Sequence, residues 1–156
     1  MDIEPKKPVV IPLFFDNYIS VIKNSVGTEM FRNWYCTVDG VKTEVLGDGN
    51  LSCPLYLTGV LKIFDLVHET QITVHRALKE METSGWKEIT KPQLGAVIVW
   101  GEKLGETGIH KHMGFYLGEN LAVSTNDKAK KVITHPLDYR PILNYLWHPK
   151  LDGEKS

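Results

Sequence analysis

The chain has only two cysteines in 156 residues, too few for a disulfide framework to replace a hydrophobic core. It also lacks an excess of either charge. Eighteen basic residues stand against nineteen acidic ones, a net charge of −1, which argues against nucleic-acid binding as its main work. The local basic group Lys128, Lys130 and Lys131 reads as a solvated turn. No apolar run is long enough to span a bilayer, and the opening Met1-Asp2-Ile3-Glu4-Pro5-Lys6-Lys7-Pro8 lacks the apolar centre of a secretory signal. The expectation is a protein that is cytoplasmic as encoded, without a membrane or nucleic-acid partner, with export by another route left open. Internal repeats, low-complexity stretches and phosphate-binding glycine loops are missing as well.

What is present is ordinary for a folded domain: 42% hydrophobic and 24% charged residues, at a length suited to one core. Pro5, Pro8 and Pro12 make residues 1–12 an extended N-terminal arm. Residues 13–148 read as a single domain and the polar residues 149–156 as a flexible tail. Phe15, Tyr18, Ile19, Ile22 and Val26 recur at helical spacing, with Asp16 as a cap and Gly27 as a stop. Asp39-Gly40 is a hairpin signal between Trp34–Val38 and Val41–Leu46. The apolar run Pro54–Val67 predicts a buried helix, and residues 71–83 a further one ending near Gly85. Short β-prone runs follow at Ala96–Trp100, Met113–Leu117, Leu121–Ser124 and Lys131–Thr134. Helices followed by short strands predict an α+β fold, with N-terminal helices packed on a central antiparallel β-sheet.

Cys53 opens the first long apolar run, and Pro54 suits the first helical position because it has no N–H to leave unpaired. That places Cys53 at the cap, where exposed amides and a nearby imidazolium would lower the thiol pKa. The same amides, with Ser52 beside them, could stabilise a tetrahedral oxyanion. Taken alone, Cys53 ahead of an apolar helix reads first as a small buried hydrophobe. Cys36 lies in a β-prone piece with no such context. A Cys36–Cys53 bridge is disfavoured by the intracellular composition.

In His110-Lys111-His112-Met113-Gly114-Phe115-Tyr116-Leu117-Gly118, alternation puts His110, His112, Gly114 and Tyr116 on one strand face. Met113, Phe115 and Leu117 point to the core. His112 is the expected general base and acid, and Gly114 leaves room beside it for substrate or for another backbone. His110, nearer the Gly105–Gly108 loop, is the competitor. Two histidines two apart could bind metal, but no third ligand stands out and no cofactor is expected. A catalytic imidazole needs a polar partner. Ser124 and Asn126 share one face of the next β-prone run, and either could serve; both could also simply start a turn.

Cys53 opening a helix, then the turn Pro92-Gln93-Leu94-Gly95 into Val97–Trp100, then His112-x-Gly114-x-Tyr116-x-Gly118 resembles the NlpC/P60 superfamily of papain-like cysteine peptidases. The resemblance runs from Leu51 to Gly118 and reaches weakly to Ser124. It implies Cys53 and His112 facing each other across a helix–sheet junction. It also implies cleavage of amide bonds in peptidoglycan peptides, so that the partner would be a peptide or murein fragment. The aromatic hydroxyl that the family carries near the oxyanion site would be Tyr35. Where the family usually has Asp-Cys-Ser-Gly, this chain has Ser52-Cys53-Pro54-Leu55. Two alternatives stand beside the hydrolase: an inactive peptide-binding domain on the same fold, and an acyltransferase using the same dyad. The oligomeric state is not readable.

Overall fold

The computed structural model describes residues 2–105 and 108–153. Glu106 and Thr107, within the expected Gly105–Gly108 loop, lie outside the described residues. Residues 2–13 form no helix or strand and are exposed. Helix α1 (Phe14–Asn24) turns Tyr18, Ile19 and Ile22 inward, as its apolar spacing requires. Asp16 is not its cap: Leu13 holds that position without a side-chain bond, and Asp16 sits in the first turn, where a carboxylate suits the helix dipole. Strands β1 (Tyr35–Val38) and β2 (Val41–Glu44) form a separate antiparallel hairpin. Its turn needs two left-handed residues, and Asp39 (φ 50°) and Gly40 (φ 77°) supply them.

Helices α2 (Cys53–Ile63) and α3 (Val74–Thr83) follow. The Thr73 side chain caps α3 by accepting from the Arg76 N–H at 3.2 Å, and Gly85 (φ 101°) lies just past its end. The remaining strands are β3 (Lys87–Ile89), β4 (Val97–Gly105), β5 (Gly108–Gly118), β6 (Leu121–Asn126), β7 (Lys131–Pro136) and β8 (Ile142–Trp147). They form one antiparallel sheet in the order β3-β8-β4-β5-β6-β7. The fold is α+β, with helices packed on a sheet. Two strands were not anticipated. β3 is very short, and β8 finds its place only by returning from the end of the chain to lie between β3 and β4. Packed structure also reaches into the expected tail: Pro149–Asp152 make a 3-10 turn whose Leu151 is buried.

One sheet face carries the helices. Val97, Val99, Met113, Phe115 and Val123 are buried there in one cluster with Tyr18, Tyr56 and Leu57. The Phe115 ring meets Tyr56 and Tyr18 edge-on at 5.7 and 6.0 Å. Each fully buried leucine or valine of this layer stabilises the fold by about 1.5–3 kcal/mol. Helix α2 packs on β5 and β6. Its buried Thr58 hydroxyl is satisfied within the layer, donating to the Pro54 carbonyl at 2.7 Å and accepting from the Gln71 N–H at 2.8 Å. The opposite sheet face holds a smaller cluster of Ile98, Trp100, Ala122 and Leu137. The alternation of β5 thus sends Met113 and Phe115 to the helices and keeps His112 and Tyr116 with the second layer.

Candidate active site

Cys53 is the first residue of α2, with Ser52 at the cap and Pro54 second, one position further into the helix than expected. The Ser52 side chain makes no capping bond, and its buried oxygen has no partner among the described residues. It lines a small cleft with Phe31, Arg32, Lys130 and Val132. Both cysteines are free. Cys53 is buried, 7% exposed, and its thiol lies close to the Met113 backbone N–H on β5, the residue after His112. Burial pushes its pKa up to about 12, against the opposing pull of the Met113 N–H, the Arg140 charge and its own N–H. The expected lowering by the helix terminus is therefore outweighed, because removing the thiolate from water costs more than these dipoles return.

His112 stands where β4–β5 pairing becomes irregular: Trp100 pairs with His112, but the next partners are Lys103 and His110. The Trp100 ring stacks on the imidazole at 5.4 Å and 30° and is itself anchored by its Nε1–H donating to the Leu137 carbonyl at 2.8 Å. Burial, then the positive charge of Arg140, then His135 push the His112 pKa down to about 3. The Cys53 thiol and the His112 imidazole thus both rest neutral, and no described hydrogen bond joins them.

Beyond His112 runs a hydrogen-bonded chain. His112 Nε2 lies 2.9 Å from Ser124 Oγ, Ser124 Oγ lies 2.6 Å from His135 Nε2, and His135 Nδ1 lies 2.9 Å from the Pro136 carbonyl. A carbonyl only accepts, so His135 Nδ1 carries a proton. Its neutral ring then accepts at Nε2, which makes Ser124 the donor. Ser124 in turn accepts from His112 Nε2–H. The network therefore assigns the His112 tautomer and leaves Nδ1 as the free base. Burial pushes the Tyr139 pKa up to about 12, with Ser124 beside it pulling the other way, and Ser124 itself is 1% exposed. The Tyr139 ring closes the cluster, 4.2 Å from His135, 5.3 Å from Trp100 and 6.2 Å from His112.

Ser124, not Asn126, is thus the partner of His112. The Asn126 carbonyl oxygen instead accepts from the Lys128 and Ala129 N–H groups at 3.1 and 2.7 Å, which is the turn-starting role. Gly114 is not an open wall for substrate. A side chain there would run into the Val123 carbonyl and come within 2.8 Å of Ser124 Cβ and 3.1 Å of the Trp100 ring, so the neighbouring strand fills the space. Tyr35 is 60% exposed on the hairpin, packed under Lys42 at 5.1 Å. No described contact joins it to Cys53 or His112, and the aromatic hydroxyl at the site belongs to Tyr139. His110 is exposed and takes no part in the Ser124 chain.

Sequence reasoning missed His135, Tyr139 and Arg140. The available signal was their density, a His, a Tyr and an Arg within the short stretch Thr134–Arg140. Among the described residues no group of three or more His, Cys, Asp or Glu is placed to hold a metal. No helix of the described residues is long and apolar enough to cross a membrane. No protein-family model matches the chain, and no curated protein matches it.

Proposed function

We propose that the chain is a cysteine amidase or peptidase, a divergent relative of the NlpC/P60 group acting on peptide or murein-fragment amides. The observation that carries this reading is the hydrogen-bonded chain that runs from His112 through Ser124 and His135. A side chain anchored through Ser124 and His135 to a backbone carbonyl has the arrangement of a general base held in one orientation. Cys53 Sγ attacks the substrate carbonyl while its proton passes to His112 Nδ1. The sulfur–carbon bond forms, and the oxyanion is met by amides at the start of α2. The imidazolium returns the proton to the nitrogen as the carbon–nitrogen bond breaks. Water, deprotonated by the same imidazole, then cleaves the thioester and restores the thiol. A site in the cytoplasm, facing fragments rather than the intact wall, belongs to the same proposal.

Burial of the thiol favours one competing reading, a peptide-binding domain without turnover. Incubation with purified muropeptides, followed by mass spectrometry, separates the two. The hydrolase reading expects product pairs that together gain one water, lost in Cys53→Ala and in His112→Ala. Fragments that bind unchanged would contradict it and favour the binding domain.

A further inference from the structure

We infer that Arg140 binds a carboxylate of the substrate beside Cys53, so that the preferred amide lies next to a free acid group. The inference rests on the hydrolase reading and adds a specificity residue to it. Arg140 lies in the connection between β7 and β8, its guanidinium carbon 5.4 Å from the Tyr139 ring. That ring packs on His135 and stands near His112, and the Arg140 charge acts on both Cys53 and His112. The Arg140 Nε is buried and has no hydrogen-bond partner among the described residues.

A buried guanidinium edge without an acceptor is costly, and its flat N–H fork matches the two oxygens of a carboxylate. Arg32 shows what a structural arginine does in this chain: it is paired with Asp48 at 2.8 Å and Glu29 at 3.3 Å. Among the described residues Arg140 has no such ion pair. Stacking on Tyr139 holds the fork in place at low entropic cost. The helix amides remain for the oxyanion, so Arg140 is left to recognise a second negative group. The Arg140 charge reaches both groups, lowering the pKa of the Cys53 thiol and that of the His112 imidazole.

The test compares alkylation of Cys53 by iodoacetate, which carries a carboxylate, with alkylation by the neutral iodoacetamide. The full chain is used, with Cys36 as the internal reference thiol and mass spectrometry as the readout. The expected result is an iodoacetate-to-iodoacetamide rate ratio higher at Cys53 than at Cys36. It falls about tenfold in Arg140→Gln and is partly kept in Arg140→Lys. A reactive Cys53 whose ratio does not change in Arg140→Gln overturns this inference and leaves the hydrolase reading standing. A Cys53 that reacts with neither reagent overturns both. If Arg140→Gln fails to fold, the unsubstituted protein decides: acetate, and not acetamide, must protect Cys53 from iodoacetamide in a saturable way. Equal protection by both, or none, overturns the inference.

Discussion

Replacing Ser124 with alanine removes one oxygen and unties two imidazoles. The oxygen is buried on β6 and makes bonds of 2.9 Å to His112 and 2.6 Å to His135. Each bond is worth about 1 kcal/mol net, and leaving the two ring nitrogens without partners in a partly dry site adds to the loss. The total comes to about 2–3 kcal/mol. In urea unfolding at neutral pH the midpoint should fall by about 1 M or more with an unchanged slope. Because Ser124 and His135 belong to one chain of bonds, the double variant with His135→Ala should be less destabilised than the sum, by about 1 kcal/mol. A Ser124→Ala protein within about 0.5 kcal/mol of the original, or strict additivity with His135→Ala, would refute the idea of a coupled relay.

Acid should destabilise the fold through His112. Its folded pKa near 3 lies below the ordinary 6.5, so between those values the unfolded chain binds the proton first and stability is lost as pH falls. The loss of stability over this window should be steeper in the original protein than in His112→Gln, by up to about 1.4 kcal/mol per pH unit; parallel curves from urea titrations would count against a buried neutral imidazole. Gly114→Ala should cost about 2 kcal/mol or more in a thermal melt, since its methyl meets the Val123 carbonyl and the Trp100 ring. A melting temperature unchanged by that substitution would mean the β5–β6 contact is looser than described.

Local patterns were the legible part of this protein. Apolar spacing marked α1, the Asp39-Gly40 turn marked the β1–β2 hairpin, and alternation placed His112 and Met113 on opposite faces of β5. Ser124 was within reach as one of two partners because β6 also alternates. What stayed hidden depends on strand pairing and depth. His135 lies one residue past the β-prone run that ended at Thr134, and it meets Ser124 only because the β6–β7 register sets Ala122 against His135. Tyr139 and Arg140 lie in a connection whose role is fixed by β8, a strand that inserts between β3 and β4 from the far end of the chain. The thiol pKa was misjudged for a similar reason. A helix start is visible in Pro54, but the layer of Tyr56, Met113 and Phe115 around it is a property of the packed sheet.

The central claim is that His112 takes the proton of Cys53. The most direct measurement is the rate at which iodoacetamide labels Cys53 at neutral pH, in the original protein and in His112→Ala, with Cys36 read in the same samples. Losing the imidazole should slow Cys53 alone, because a thiol buried to a pKa of about 12 forms very little thiolate at neutral pH. Equal Cys53 rates in the two proteins would contradict it.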